Sequence, residues 1–333
     1  MSWRVRLARY VGVSVAYGAH FGTHSPGKWV NGRLRFDIVQ VNAMAGEGVM
    51  EHAQHHSPVL SVMMDRVFVS RPERAEVVEA DYEGKIMQRW HGKPTPLQVP
   101  QGLAVTRRSI YVADIGANRI LALDRIHNRA DVIAGNGKAE PPKEFYWQVP
   151  KACPLARPTG LIRDGGTLLI SVAGLRQIWA LEIQPNIIGR AAGSGNSGAQ
   201  DGEFLFASFE NPTGLALAAK GERVYIADAG RLRCMDFPLK SIRTVPLAAG
   251  EHVTSVTADR DRYLFTTDRS AREVKIWDTH GEHVIGRYAL PWALDTASIS
   301  WSKGELWALA DNGRLLARKR ADQDSFEVVA LSD

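Results

Sequence analysis

The stretch VPQGLAVTRRSIYVADIGANRILALD, residues 99–124, decides the fold. It contains a Pro-x-Gly turn and three short runs rich in Val, Ile, Leu and Ala, with polar turns between the runs. Short runs of this kind, bounded by turn residues, are typical of half-buried β-strands. Residues 211–236, NPTGLALAAKGERVYIADAGRLRCMD, repeat the same order of features. A strand unit that recurs along the chain predicts a repeat architecture.

An acid closes the third apolar run of the unit in five places. These acids recur at intervals of roughly 40 to 60 residues, about the length of one propeller blade, and they are Asp81, Asp124, Glu182, Asp236 and Asp278. We expect them to lie in turns and to have a structural role. Weaker copies of the unit raise the number to six, and helical periodicity is absent across residues 57–331. The sequence therefore predicts an all-β fold, a six-bladed β-propeller of four-stranded antiparallel blades.

The repeat also predicts the domain organisation. Residues 33–333 should form one propeller, since no second composition or period interrupts the repeats. The segment 33–42, RLRFDIVQVN, alternates apolar and polar residues, and we expect it to close the ring by pairing near residues 314–331 or by adding an outer edge to that region. Residues 1–32 show no clear period and carry several arginines, so we expect an irregular basic arm.

Composition narrows the function classes. The chain has 333 residues and a net charge of +5, with the basic excess densest near its two ends. An acidic partner surface for the N-terminal arm would fit this charge. Specific nucleic-acid binding would need aromatic residues among the basic ones or a recognisable module, and neither occurs. No window is apolar enough for a membrane span.

The cysteine content and the N-terminus bear on the compartment. Cys153 and Cys234 lie in different repeats and predict no disulfide framework, which favours a reducing, cytoplasmic location. Export is the alternative, because three arginines within residues 1–9 precede a mildly apolar stretch that loosely imitates a signal peptide.

The quoted stretches, together with residues 191–217, AAGSGNSGAQDGEFLFASFENPTGLAL, resemble NHL-repeat β-propellers. The resemblance is closest to the propeller module of thioredoxin-like NHL-repeat proteins and covers roughly residues 55–331. Their thioredoxin-like domain lies outside it, so no redox role is transferred. In the family, a strand-ending Asp and an Asn-Arg pair tie neighbouring turns together. The positions that match are expected to be structural, and they are Asp114, Asn118, Arg119, Asp228 and Asp268; Val172 and Gln177 depart from the pattern.

The residue between Pro and Gly in each unit should face the central channel. These residues are Gln101, Thr159 and Thr213, with Thr254 as the equivalent in the fifth unit. Lactonases similar to this fold hold a divalent ion there with carboxylates and asparagines, and the amidating lyases hold zinc with histidines. This ring has neither set, so we predict no catalytic residue and no cofactor. Gln and Thr can bind a polar ligand or line a water-filled channel.

Three histidines precede the first unit. His52, His55 and His56 have the spacing that would gather imidazoles on one helical turn, a possible zinc or copper site. Pro58 bounds the segment and Glu51 is the only nearby acid. We therefore interpret them as solvated loop histidines and predict no metal.

Two insertions, residues 137–156 and 193–210, lengthen the repeat and distinguish this chain from a regular propeller. Insertions in a radial repeat decorate one face, often the binding face. Four aromatic residues in them are expected to be exposed and to contact a partner: Tyr146, Trp147, Phe204 and Phe206. We predict a non-catalytic protein-interaction scaffold or accessory subunit. A metal-dependent hydrolase or lyase acting at the channel and a small-ligand sensor are the alternatives.

Overall fold

The structure is a computed structural model that describes residues 29–30, 33–34, 57–142, 147–268, 272–292, 295–310 and 313–332. β1 (Trp29–Val30) pairs antiparallel with β2 (Arg33–Leu34) in a two-stranded sheet of their own, within the compact unit of residues 14–55. Of the predicted ring-closing strand over 33–42, only these last two residues are described. The ring-closing role and the basic arm over 1–32 stay predictions.

The six predicted blades are present, each a meander of antiparallel strands. The first two blades contain β3 Leu60–Met63, β4 Arg66–Arg71, β5 Glu76–Ala80, β6 Ile86–Trp90, β7 Pro100–Val105, β8 Ser109–Asp114, β9 Arg119–Asp124 and β10 Arg129–Ala134. The third and fourth contain β11 Pro158–Asp164, β12 Thr167–Val172, β13 Gln177–Glu182, β14 Ile187–Ala192, β15 Gly202–Glu203, β16 Pro212–Ala218, β17 Arg223–Asp228, β18 Arg231–Asp236 and β19 Ser241–Val245.

The last two blades contain β20 Ser255–Ala258, β21 Tyr263–Thr267, β22 Glu273–Asp278, β23 His283–Ala289, β24 Thr296–Ser302, β25 Glu305–Ala310, β26 Leu315–Lys319 and β27 Glu327–Ala330. Short 3-10 turns occur at Pro72–Arg74, Ile115–Ala117, Pro150–Ala152, Ala173–Leu175 and Ala219–Gly221. The predicted all-β propeller of four-stranded blades is confirmed, with one addition: β15 pairs with β19 and gives the fourth blade a fifth strand. In the part of the chain that the structure describes, no helix has the length and apolar character of a membrane span.

The hydrophobic core lies between the blades. Six clusters of buried apolar side chains each combine residues from two adjacent blades, and together they account for every interface around the ring. The largest buried side chains, Trp179 and Trp307, fill two of these wedges. Because each blade shares its apolar faces with both neighbours, the ring is stabilised as a whole.

The innermost strands approach each other closely. A Cβ added to Gly102 would lie 2.1 Å from the Thr159 carbonyl oxygen, and one added to Gly160 would lie 1.8 Å from that of Thr213. Only glycine permits this spacing between backbones. The third copy, Gly214, is less crowded, since its nearest contact would be Val256 Cγ2 at 3.3 Å.

The ring closes between the sixth and first blades. Val62 N donates to Ser300 Oγ at 3.2 Å, and Ser332 N donates to the Gly84 carbonyl oxygen at 2.9 Å. Apolar residues of β3, β4, β25 and β26 pack in the same interface. The closure therefore combines hydrogen bonds on the inner and outer parts of the blades with a buried apolar cluster.

Candidate functional site

The strand-ending aspartates Asp114 and Asp228 join the second and fourth blades to the loops that enter them. Asp114 is fully buried, and its Oδ1 accepts hydrogen bonds from the backbone N–H groups of Gln98 and Val99, at 3.0 and 2.8 Å. Its Oδ2 accepts from Arg119 Nε at 3.0 Å, and Arg119 also donates to the Pro96 carbonyl oxygen. These contacts satisfy the buried carboxylate within the fold, so its place in the structure is that of a link between turns.

Asn118 links the second blade to the first insertion and the third blade. Its Oδ1 accepts from the backbone N–H of Arg157 at 2.9 Å, and its Nδ2 donates to the Gly137 carbonyl oxygen at 3.4 Å. In the third blade Gln177, which replaces the family arginine, is buried and accepts from Trp179 Nε1. Asp268 follows β21 and is half-buried.

The fourth blade uses a buried arginine that sequence reasoning missed. Asp228 accepts from the backbone N–H groups of Asn211 and Glu210, and burial raises the pKa of its carboxyl group. Arg233, fully buried, donates to Asp228 at 3.4 Å and to Asp201 Oδ1 at 3.0 Å. It also donates to the carbonyl oxygens of two residues of the second insertion, Gln200 and Ser208. The sequence did contain a signal for this buried arginine, because the strand RLRCMD has a charged residue, Arg233, at a buried position.

The acids that close the third strands hold the turns that follow them. Asp124 Oδ1 accepts from the backbone N–H groups of Ile126 and His127, and the His127 ring lowers the pKa of this carboxyl group to about 2. Asp278 accepts from the His280 N–H and from Arg262, which lowers its pKa to about 2. Asp81 and Asp236 accept from turn N–H groups in the same way. An Asp side chain that accepts a hydrogen bond from the backbone of the following turn is an Asx turn, which Asp commonly forms.

The residues expected at the channel have mostly structural contacts. The Thr159 hydroxyl donates to the Pro212 carbonyl oxygen of the next blade at 3.0 Å. Those of Thr213 and Thr254 donate to carbonyl oxygens of neighbouring strands, at 3.2 and 3.3 Å. Gln101 differs: its Oε1 is buried and has no hydrogen-bond partner among the described residues.

The strands around the propeller axis offer few ionisable groups. The six innermost strands, β3, β7, β11, β16, β20 and β24, are fully described, and their ionisable side chains are Arg163 and Asp164 at the end of β11. Among the described residues, no three His, Cys, Asp or Glu side chains lie close enough to hold a metal ion. His52, His55 and His56 lie outside them.

Both cysteines are free and buried. Burial raises the pKa of each thiol to about 12. At neutral pH the thiols are protonated, and the thiolate is the form that acts as a nucleophile. Cys153 and Cys234 therefore contribute to the apolar clusters of the wedges rather than to a reactive site.

The first insertion packs against the third blade. Gln148 forms an antiparallel bridge with Ile188, and the Trp147 ring covers Gly189, where an added Cβ would lie 3.0 Å from Trp147 Cδ2. Trp147 is therefore half-buried, which corrects the expectation that it is exposed. Tyr146 lies outside the described residues. Val149, which the sequence did not single out, is exposed.

The second insertion is held in place and presents one aromatic ring. Phe204, expected to be exposed, is only 2% exposed because its ring packs edge-on against Phe237 with centroids 5.5 Å apart. Backbone hydrogen bonds join Gly193 N to Phe204 O and Ser194 N to Ala207 O. Phe206, between these anchors, is 71% exposed. Four aromatic residues were predicted to contact a partner, and among those that the structure describes, Phe206 is the one whose ring projects into solvent.

Comparisons with known proteins address the fold and the repeat. No protein-family model matches the chain. "NHL repeat-containing protein 2" of Bos taurus is 29% identical over 184 residues, which is 49% of this chain and 24% of that protein. The Homo sapiens protein of the same name is 28% identical over the same shares. The match thus spans about a quarter of the length of each of these curated relatives.

Several solved structures share the architecture. A catalytically inactive virginiamycin B lyase from Staphylococcus aureus with quinupristin has a TM-score of 0.55 and 12% identity, and the alignment covers 84% of this chain and 86% of that one. A chain of a nidogen/laminin complex has a TM-score of 0.56 and 15% identity, and the alignment covers 73% of this chain and 84% of that one. At these identities the likeness shows the fold alone.

Proposed function

We propose that this chain, an NHL-repeat β-propeller, is a protein-interaction scaffold or an accessory subunit of a larger complex. The curated matches and the six blades support the NHL-repeat propeller family. Among the solved structures with this architecture are a lyase and a chain of a nidogen/laminin complex, so fold alone favours neither role. The observation that carries the proposal is the exposed ring of Phe206.

Phe206 has the properties of an interface anchor. Its loop is fixed by Arg233, by Ser208 Oγ, which accepts from Gln200 N at 2.8 Å, and by the pairing of β15 with β19. An apolar ring on a fixed loop loses little conformational entropy when a partner covers it. Aromatic side chains of this kind dominate many interfaces, and truncating one typically costs about 2 kcal/mol of binding free energy or more.

The residues around the propeller axis are consistent with a binding role. Three of the four residues expected at the channel are threonines whose hydroxyls contact the backbone. Arg163 and Asp164, the ionisable pair on the innermost strands, lie where β11 ends, and Asp164 is paired with Arg260. A metal-dependent hydrolase or lyase reaction at the axis would have to draw its acid–base groups and ligands from residues outside these strands.

A matched pair of variants tests the proposal. The tagged chain is isolated at low salt from the cells that express it, as the wild type, as Phe206→Ser and as Val328→Ser. Val328 is an exposed apolar residue on β27 of the sixth blade. We expect a stoichiometric protein partner with the wild type and the Val328 variant and its loss with the Phe206 variant. A wild-type chain isolated without a partner, or equal recovery with both variants, would overturn the proposal.

A second candidate function is that of a small-ligand sensor, and one buried atom of Gln101 favours it. Gln101 Oε1 is a buried acceptor that has no donor among the described residues, and buried acceptors normally have one. A ligand with an N–H or O–H group could supply it. Thermal-shift measurements with small polyols and amines should then show stabilisation that Gln101→Leu abolishes, since a ligand that binds only the folded state raises Tm. No shift in the wild type would reject this candidate.

We also infer that the protein works in the cytoplasm. Its two free, buried thiols support this location, because proteins of oxidising compartments commonly form disulfides. Fractionation of cells expressing the full chain with a C-terminal tag tests the inference. Recovery outside the cytoplasm, with a shortened N-terminus, would contradict it and favour export.

A further inference from the structure

The strand order divides the turns of the propeller between two faces. Strands alternate in direction within each blade, so the turns after the first and third strands lie at one end and the remaining connections lie at the other. We call the end at which the innermost strands finish the exit face. Both insertions begin at the opposite end, as connections from one blade to the next.

Three arginines of the exit face have no acidic partner in the part of the chain that the structure describes. Arg107 and Arg108 lie in the turn after β7, and Arg163 lies near the end of the neighbouring β11. All three are exposed, and no carboxylate oxygen of a described residue lies within 4 Å of them.

The nearby acids already have other partners. Glu79 pairs with Arg125, Asp124 with His127 at 2.9 Å, and Asp164 with Arg260 at 3.1 Å. Because a neutral His127 leaves the Asp124 charge in place, three arginines stand against this one carboxylate, and the exit face of the second and third blades has an excess of positive charge among the described residues. Because these acids are engaged, a ligand would meet the positive charge of the three arginines without having to displace an internal partner.

Aliphatic side chains lie among these charges. Ile126 is 65% exposed and Met64 is 38% exposed. The Met64 sulfur is 3.3 Å from Arg107 Nε. We call Met64, Arg107, Arg108, Ile126 and Arg163 the basic exit patch.

Arg125 fixes two of the turns that carry the patch relative to each other. Its side chain donates to the carbonyl oxygens of Thr106 and Arg107, at 3.3 and 3.2 Å. Its backbone N–H donates to the Arg108 carbonyl oxygen at 2.8 Å. The turn that carries two of the arginines and the turn that carries Ile126 thus form one preorganised surface.

We propose that the basic exit patch binds an acidic, extended segment of a partner protein in which aliphatic residues are interspersed among Asp and Glu. The inference rests on the proposed interaction role and concerns a surface distinct from Phe206. Charge complementarity favours an acidic occupant, and each planar guanidinium group can donate two parallel hydrogen bonds to a carboxylate. The apolar members of the patch are aliphatic, whereas single-stranded nucleic acids need aromatic rings for stacking. A peptide is the chemistry that uses both components.

Fluorescence anisotropy with defined probes tests the proposal. The acidic probe is a labelled peptide of about twelve residues built from Asp-Glu-Leu repeats. The comparison probes are a Lys-Lys-Leu peptide and a single-stranded DNA of equal length. The protein is the full chain as wild type, as the triple variant Arg107→Glu, Arg108→Glu, Arg163→Glu, and as Ile126→Ser. The control is Lys138→Glu, Lys151→Glu, Lys240→Glu, which makes the same change of net charge at other exposed positions.

We expect the wild type to bind the acidic peptide and not the basic one. The triple arginine variant should raise Kd about tenfold or more, and Ile126→Ser about threefold, while the lysine control stays within about twofold. Raising salt from about 50 to about 500 mM should weaken binding.

Three results would overturn the proposal: no binding, equal loss in the lysine control, or tighter binding of the DNA, which would make the patch a nucleic-acid surface. The Phe206→Ser variant should bind the peptide normally. Failure of the basic exit patch and failure of the Phe206 proposal are therefore seen in different variants.

Discussion

At the scale of single residues, buried charge is used to fix loops. Asp114 and Asp228 each accept two backbone hydrogen bonds from the loop that enters their blade. The resemblance placed both aspartates in a structural role, and the structure gives them contacts of that kind. Arg233 was missed because the family arginine follows the turn, at the position of Arg119, whereas the fourth blade places its arginine inside the strand.

Replacing Arg233 should be strongly destabilising. Arg233→Met keeps much of the side-chain volume but leaves Asp228 buried without its cation, and losing one partner of a buried pair typically costs about 3–5 kcal/mol. Equilibrium denaturation measures the free energy of unfolding. The matched control is Arg231→Met, two residues away on the same strand and exposed, which should change it by about 0.5 kcal/mol or less. Similar losses in the two variants would contradict the role given to Arg233.

Asp278 should make stability depend on pH in the acid range. Arg262 lowers the pKa of its carboxyl group from 3.8 to about 2. The charged carboxylate is therefore favoured over the protonated acid more strongly in the folded state than in the unfolded state. The stabilisation is present above the unfolded pKa and is lost as pH falls toward about 2. Denaturation midpoints of the wild type should exceed those of Asp278→Asn at pH 5 to 6 and converge with them near pH 2. A difference that does not change with pH would refute this assignment.

At the scale of elements, the strands could be predicted from the sequence and the insertions could not. Alternating apolar residues and the Pro-x-Gly motif located β7, β11 and β16, because each residue type follows from the geometry of its own strand. The expectation that Pro-x-Gly forms a turn was wrong, since the three residues are the first residues of each strand. The insertions have no period, so the sequence could not say which aromatic ring would turn inward. Phe204 and Phe206 lie two residues apart, yet only contacts with distant residues such as Phe237 decide that the first is buried.

The crowding of the innermost strands gives a prediction at this scale. Gly160→Ala would place a methyl group 1.8 Å from the Thr213 carbonyl oxygen, so two backbones must separate. We expect a loss of about 3 kcal/mol or more, or an insoluble protein, which exceeds ordinary overpacking. Gly214→Ala is the control, because its nearest neighbour is a valine methyl group at 3.3 Å and a small shift relieves the contact. Soluble expression and denaturation compare the two, and equal tolerance would contradict the close approach.

At the scale of the whole molecule, the six interfaces between blades form a closed frame. Each interface has its own apolar cluster, and the hydrogen bonds of Val62 and Ser332 join the last blade to the first. The frame fixes the positions of two surfaces that the repeat itself does not require, Phe206 on the second insertion and the basic exit patch. A rigid support for separate contact surfaces is the arrangement that a scaffold needs.

The mass of the native complex tests this account most directly. Size-exclusion chromatography with light scattering, applied to the full chain isolated at low salt from the cells that express it, gives the mass of the assembly. We predict a mass well above the 36.7 kDa of the chain for the wild type and for Val328→Ser, with a second protein present, and a fall to the mass of the chain alone for Phe206→Ser. A wild-type protein that elutes as a lone 36.7 kDa monomer would contradict the central claim.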